Sequence, residues 1–118
     1  VLAGWTGAAT MVTLRLVDGG AGSDNVQIWN AANTSQLPLG TVNLGDTAYS
    51  SATVTFTGST MTQSGAGITV ALGTTAGTTT RAGPARLAWT PSATATDRAA
   101  NACSTTSVNE SGGNDRNF

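Results

Sequence analysis

The stretch MVTLRLVDGGAGSDNVQIW, residues 11–29, decides the fold class, because its pattern is that of two strands joined by a glycine-rich loop. In its first half every second residue is apolar, as a strand with one buried face requires: Val12, Leu14 and Leu16. Gly19–Ser23 supplies the loop, since glycine permits the backbone angles of tight turns. Val26 and Ile28 then repeat the alternation. The stretch therefore predicts a β-hairpin.

The same alternation recurs in short runs along the whole chain, and no window carries an extended helical period. The predicted strands are Met11–Asp18, Asn25–Trp29, Gly40–Leu44, Ala52–Thr57, Gly67–Leu72, Ala85–Thr90 and Ala102–Val108. Turns about 8 to 12 residues apart are typical of a two-sheet fold. We therefore expect an all-β, antiparallel β-sandwich of seven to eight strands. Residues 1–10 form an N-terminal arm, 11–108 the sandwich and 109–118 a polar tail.

The charge pattern excludes several classes of function. The chain has 118 residues and a net charge of −1, from six acidic residues and five scattered arginines, without lysine or histidine. Nucleic-acid binding needs clustered basic residues, so we expect no nucleic-acid partner. No pair of carboxylates is marked by its spacing for catalysis, and histidine, the usual general base, is absent, so the chain is not expected to be an enzyme. No apolar run reaches the roughly 18 residues of a membrane span.

The segment TATDRAANACSTTSV, residues 94–108, resembles the approach to the final strand in bacterial immunoglobulin-like domains of secreted and cell-surface proteins. The residues that carry the resemblance follow the pattern A-T-D-x-x-G-N, with Ala100 in the position of the glycine. The resemblance implies an immunoglobulin-like sandwich that acts as a spacer, adhesin or assembly module. Together with the low charge and the many hydroxyl and amide side chains, it predicts a secreted, extracellular or cell-surface protein.

GGAGSDNVQ, residues 19–27, matches the calcium-binding nonapeptide G-G-x-G-x-D-x-U-x of RTX proteins. In that family each ion sits between two consecutive copies, whereas this chain has a single copy. We therefore interpret the motif as a hairpin loop that Asp24 closes through its side chain. A calcium-stabilised domain remains the alternative, with Asp18 and Asp24 as ligands and Asp46 as a third if the fold brings it close. No other cofactor is expected.

Trp29 and Tyr49 are the candidate carbohydrate-binding residues. Trp29 is in phase with Gln27 and opposite Val26 and Ile28, which places its ring on the outer face of its strand. The fragments GWT (4–6), WNA (29–31) and TQSG (62–65) are similar to segments of actinobacterial cellulose-binding modules, although their spacing differs. The flanking cysteine pair of those modules is absent, because Cys103 is the single cysteine. This resemblance implies a polysaccharide partner.

Apolar residues occur in the N-terminal arm and at the start of the first strand, namely Val1, Leu2 and Trp5 in the arm and Met11 at the strand's first position. A segment outside the core is normally polar, so we interpret these residues as a subunit interface. Strand addition to a free sheet edge joins β-domains through main-chain hydrogen bonds. The sequence therefore favours a structural or adhesive protein that assembles with copies of itself, or with another surface protein, into a filament or surface layer. The alternatives are the carbohydrate-binding module and the calcium-stabilised domain.

Overall fold

The computed structural model describes residues 8–65, 67–75 and 84–114 of the chain. This part contains strands and turns without a helix, so it offers no helix able to cross a membrane. The strands are β1 (Thr10–Val17), β2 (Asn25–Asn30), β3 (Thr41–Asn43), β4 (Val54–Ser64), β5 (Gly67–Ala71), β6 (Thr74–Thr75), β7 (Ala88–Thr90) and β8 (Val108–Asn109). All paired strands are antiparallel, which confirms the predicted all-β antiparallel class.

The strands form one continuous sheet with the order β5-β4-β1-β2-β3-β7-β8, and β6 also pairs with β4. The sheet curls into a half-barrel, so its two ends do not meet. Within the described residues, β5 and β8 are therefore edge strands. The concave side carries the core, and the convex side carries most of the polar residues of β1 and β2.

The hairpin predicted from residues 11–29 is confirmed. β1 pairs with β2 so that Leu14 lies opposite Ile28 and Arg15 lies opposite Gln27. In the connecting loop Gly20 has a φ of 60°, a value that favours glycine. Because β1 is flanked by β2 and β4, this hairpin occupies the middle of the sheet.

β4 extends well beyond the predicted strand 52–57 and continues to Ser64. The β1–β4 register shifts between Val12 and Leu14, which pair with Ser59 and Phe56, so β4 contains one additional residue. Gly58, with a φ of 69°, lies in this β-bulge. The bulge keeps both Phe56 and Ser59 on the buried side, which is why β4 continues without reversing its faces.

The core is a single cluster on the concave side of the sheet. Its members come from the central strands and from the connections that cross them: Leu14, Leu16, Val26, Leu44, Tyr49, Val54, Phe56 and Ala85. Burial of such side chains contributes about 1.5 to 3 kcal/mol each. The central hairpin and the first half of β4 therefore supply most of the hydrophobic stabilisation.

The alternation along the predicted strands 52–57, 67–72 and 85–90 predicts that Phe56, Ile68 and Trp89 belong to the core, but two of the three are not buried. Ile68 in β5 is 38% exposed and Trp89 in β7 is 42% exposed, although the alternation predicted both to be internal. Phe56, by contrast, is buried as expected. Ile68 and Trp89 lie on the core side of the sheet, but β5 is an edge strand and β7 is next to one. Too few residues pack beyond them to cover their side chains.

The strand predicted over 102–108 is also wrong for most of its length. There the structure has an isolated bridge between Thr96 and Ala102, and a two-residue strand, β8. The threonine-rich stretch 74–83 has the composition of a loop, but most of it lies outside the described residues, and its first two residues pair with β4 as β6. Short alternating runs predict strands where the chain instead forms turns stabilised by side chains.

Candidate functional site

The first candidate region is the β5 edge, defined here as Ile68, Val70 and Leu72. Ile68 and Leu72 are 38% and 48% exposed, and Val70 packs against the core. In the described part of the chain, β5 pairs only with β4, so its other side presents unpaired backbone groups. Gln63, opposite Ile68, has a buried side-chain oxygen without a hydrogen-bond partner among the described residues. This end of the sheet combines exposed apolar side chains with unpaired backbone polar groups.

The predicted interface residues divide between described and undescribed parts of the chain. Val1, Leu2 and Trp5 lie outside the described residues, so their role stays a prediction. Met11 is 61% exposed on β1, on the face opposite Val12, and lies opposite Thr60 of β4. An apolar side chain exposed to this extent in the middle of a sheet is available for contact with another chain.

The second candidate region is the convex face around Trp29. The guanidinium carbon of Arg15 lies 3.6 Å from the centroid of the Trp29 ring, a cation–π contact. Arg15 also donates from Nε to Asn33 Oδ1 at 2.7 Å and from Nη2 to the Asn33 carbonyl at 3.1 Å. The indole Nε1 donates to Gln27 Oε1 at 3.0 Å. Trp29 is therefore on the predicted face, but Arg15 covers one side of its ring.

A turn over residues 30–35 folds onto this face and explains the burial of Thr13. The Thr13 hydroxyl is almost fully buried, and it donates to the Ala31 carbonyl at 3.4 Å. Asn33 in the same turn has a φ of 58° and holds Arg15. The outer side of the hairpin is therefore partly covered by its own chain, which leaves less of it free for a ligand than the alternation of β2 predicts.

Tyr49 is a core residue. Its side chain is fully buried in the cluster on the concave side, so its ring has no accessible face in this structure. The sequence assigned it to carbohydrate binding because it is a large aromatic in a polar stretch. The tertiary structure corrects that assignment, since the connection between β3 and β4 carries it across the sheet into the core.

Asp24 joins three loops at one end of the sheet. Its carboxylate is fully buried, with Oδ1 accepting from the Gly19 amide at 3.0 Å and Oδ2 from the Ser50 amide at 2.6 Å. Its backbone amide donates to the Asp46 carbonyl at 2.8 Å, and its carbonyl accepts from the Leu44 amide at 2.9 Å. Asp24 therefore closes the predicted hairpin loop and also attaches it to the loops before β4.

The other calcium candidates also hold backbone amides. Asp18 accepts from the Gly20 amide, and Asp46 accepts from the Ala48 amide, both at 2.8 Å. Among residues 8–65, 67–75 and 84–114 no group of three or more His, Cys, Asp or Glu side chains is arranged to hold a metal ion. The calcium-stabilised domain stays a hypothesis to be tested with the ion itself.

A fourth carboxylate, Asp97, organises the turn in the segment that resembles immunoglobulin-like domains. It accepts hydrogen bonds from the amides of Ala99 and Asn101 and from the Asn101 side chain, at 2.8 to 2.9 Å. The Asn101 side chain, followed by these amides, lowers the pKa of Asp97 below its ordinary value of 3.8. Ala100 has a φ of 65°, a conformation that favours glycine. These bonds show how this turn is stabilised without a long strand.

A shallow cleft of about 440 Å³ lies between the chain segments 36–41 and 90–92. Gln36, Pro38, Thr41, Thr90, Pro91 and Ser92 are among the residues that line it. The sequence analysis missed this cleft because its two sides are about 50 residues apart in the chain. Gly40, between a proline and a strand, was the one local signal of a close backbone approach.

Comparison with protein-family models, with curated proteins and with solved structures found no match for this chain. The functional assignment therefore depends on the surfaces described above.

Proposed function

We propose that the chain is a secreted structural or adhesive module that assembles with copies of itself by strand addition at the β5 edge. The observation that carries the proposal is the exposure of Ile68 on β5 and of Leu72 directly after it, since β5 has no second neighbour in the described part of the sheet. A long, exposed apolar edge is a template for another strand, and proteins either protect such an edge or use it.

The occupant that we assign to the edge is residues 1–7 of a second copy. In VLAGWTG the residues Val1, Ala3 and Trp5 alternate, so in an extended strand they would share one face. Beside β5 they would cover Ile68 and Leu72, with cross-strand side chains about 5 Å apart. Seven extended residues reach about 23 Å, which suffices for a five-residue strand of about 17 Å.

Charge and polarity support contact between identical copies. The net charge of −1 over 118 residues produces little repulsion between copies. Charged residues make up 9% of the chain, so few charges would lose their water at such a contact.

The proposal also includes the immunoglobulin-like sandwich, which would form when copies assemble. A half-barrel with exposed apolar side chains at both ends, Ile68 and Leu72 at one and Trp89 and Val108 at the other, leaves room for a second layer. Strands of a neighbouring copy that pack on these exposed ends, and not on the buried centre, would supply such a layer. This arrangement is what a fold class defined by two packed sheets requires.

The test measures the mass of the full chain by light scattering after gel filtration over a wide range of concentrations, with electron microscopy of the same samples. We expect assemblies that grow with concentration. Ile68→Lys places a charge in the apolar row, and Trp5→Ala removes the largest side chain of the added strand. Each should weaken assembly about tenfold or more, the effect of losing about 1.4 kcal/mol at an interface.

Thr69→Lys is the matched control, because it places the same charge on the same strand but on the opposite face from Ile68. It should assemble as the unmodified chain does, and thermal unfolding should confirm that each variant folds. Deletion of residues 1–7 should also weaken assembly. It ends at residue 7 because β1 begins at Thr10. A chain that stays monomeric at every concentration contradicts the proposal. A mass that the deletion leaves unchanged also contradicts it. So does an arm that pairs with β5 of its own chain, which would be recognised because dilution does not release it.

A further inference from the structure

The two segments that form the cleft, 36–41 and 90–92, are joined by a close backbone contact at Gly40. Thr41 pairs with Thr90 across β3 and β7, and Gly40, just before this pair, has a φ of 93°. A Cβ atom at Gly40 would collide with the carbonyl oxygen of Thr90. Only glycine allows the two segments to approach this closely, so Gly40 sets the distance between the two walls of the cleft.

One wall of the cleft is fixed from the core side of the sheet. The indole of Trp89 donates to the Leu39 carbonyl at 2.9 Å, so the segment that contains Pro38 and Gly40 is anchored to β7. The opposite wall begins with Pro91, which is buried. Both walls are therefore positioned before any ligand binds, which reduces the entropy that binding would cost.

The lining combines free polar groups with apolar ring edges and carries no charge. The Gln36 amide and the Thr41 hydroxyl make no side-chain hydrogen bond within the part of the chain that the structure describes. The hydroxyls of Thr90 and Ser92 are oriented by Ser107 and Thr94, at 2.7 and 2.8 Å. Pro38, which is exposed, adds C–H surface. Such a lining has no cation for an anionic ligand and no carboxylate for a cationic one.

We propose that this cleft binds a neutral saccharide unit, with Gln36 and Thr41 as its hydrogen-bonding residues. A sugar ring presents hydroxyls that both donate and accept, as the amide of Gln36 and the hydroxyl of Thr41 do, and a C–H surface that can pack on the exposed ring of Pro38. The volume of about 440 Å³ lies within the roughly 300 to 1,000 Å³ of small-molecule sites. The cleft opens to solvent, so the unit is free to belong to a longer chain.

This cleft differs from the surface around Trp29, which the sequence suggested as a carbohydrate-binding site. Trp29 pairs with Gln36 through an isolated bridge and so borders the cleft, but Arg15 covers one side of its ring. The cleft is also distant in the sheet from the β5 edge, since β4, β1 and β2 lie between β5 and β3. Saccharide binding and assembly can therefore succeed or fail independently.

The experiment is a titration of the isotopically labelled full chain, followed by the backbone amide signals in NMR spectra. The probes are cellohexaose, xylohexaose and chitohexaose, and a proline-rich peptide serves as the competing occupant. We expect one of the sugars to shift the signals of residues 36, 37, 39–41, 90 and 92. Gln36→Ala and Thr41→Val should each reduce the affinity about tenfold or more, the loss of roughly one hydrogen bond.

Thr62→Val is the matched control, because it removes the same hydroxyl from β4, several strands away from the cleft. It should bind as the unmodified chain does, and Ile68→Lys should also keep its affinity. The proposal is overturned if no sugar shifts the spectrum at millimolar concentration, or if only the peptide binds. It is equally overturned if binding survives both cleft variants and is lost in Trp29→Ala.

Discussion

The central strands and the C-terminal region of this chain are stabilised in different ways. β1, β2 and β4 have 6 to 11 residues each, and their apolar side chains form most of the core. In the C-terminal region, residues 84–114, the strands β7 and β8 have three and two residues. That region is organised largely by polar side chains that bind backbone groups, such as Asp97 and Glu110. The first region depends on burial and the second on local hydrogen bonds.

The difference shows what an edge position does to an alternating sequence. Phe56 and Trp89 both belong to apolar alternations, yet Phe56 is 7% exposed and Trp89 is 42% exposed. β4 has β1 on one side and further strands on the other, whereas β7 is followed only by the short β8. Whether an apolar residue is buried therefore depends on how many strands lie beyond it.

The largest expected effect tests this comparison directly. Phe56→Ala should lower the free energy of unfolding by about 3 to 5 kcal/mol, because it leaves a cavity in the core. Trp89→Ala removes a larger side chain but should cost about 2 kcal/mol or less, since that ring is already in partial contact with water. Denaturant unfolding monitored by circular dichroism measures both. Equal losses would show that the C-terminal region has a core of its own.

The next effect concerns the buried carboxylate that attaches the hairpin loop to the rest of the sheet. Asp24→Ala leaves the buried Ser50 amide without an acceptor, at about 1 to 3 kcal/mol, and the partly buried Gly19 amide at about 1 kcal/mol, so we expect a loss of about 2 to 4 kcal/mol. Asp18→Ala removes a single bond at an exposed site and is the control, with an expected loss below about 1 kcal/mol.

The same measurements test the calcium hypothesis. If Asp24 acts only through these amides, millimolar calcium should leave the melting temperature unchanged, because an ion that does not bind the folded state cannot stabilise it. A rise of several degrees that disappears in Asp24→Ala would establish calcium binding in the loop instead.

A smaller effect, an increase in the free energy of unfolding, is expected from a substitution in the C-terminal region. Ala100 has a φ of 65°, which costs a residue with a Cβ atom about 1 to 2 kcal/mol, so Ala100→Gly should stabilise the chain by up to about 1 kcal/mol. Ala99→Gly in the same turn is the control. It relieves no positive φ, and it should destabilise by about 0.4 to 1 kcal/mol because glycine increases the entropy of the unfolded chain.

The smallest effect is a pH dependence from the same turn. Hydrogen bonds from Asn101 lower the pKa of Asp97, so the charged form stabilises the folded state above the ordinary value of 3.8. That contribution is lost as the pH falls through the lowered pKa. Asp97→Asn should therefore melt slightly below the unmodified chain at neutral pH, and the difference should shrink in acid. A constant difference at every pH would show that the charge of Asp97 plays no part.

The structure could be predicted from the sequence where the alternation of apolar and polar residues is long. The hairpin over residues 11–29 and the side-chain function of Asp24 followed from the sequence, because eight alternating residues and a glycine-rich loop allow few other arrangements. The strand predicted over 102–108 failed because serine and threonine also form turns through their own hydroxyls. Ser104 illustrates this, since its hydroxyl accepts from the Thr106 amide at 3.2 Å.

The candidate sites were less predictable than the fold. The outward orientation of Trp29 followed from the phase of β2, but its cover by Arg15 depends on a turn that folds back over the hairpin. Tyr49 was assigned to the surface and lies in the core. The cleft depends on the contact between Gly40 and Thr90. Local sequence patterns do not predict a contact between residues that are 50 positions apart.

By itself the sequence determined the all-β antiparallel class, the central hairpin and the low, scattered charge, because alternation and composition are local properties that each strand expresses wherever it lies. Only the tertiary structure decided the order of the strands, and with it the edge position of β5, the exposure of Ile68 and Trp89, and the cleft beside Gly40. The physical reason is that burial and close approach are properties of pairs of segments. A residue's own neighbours in the chain do not determine which segment packs against it.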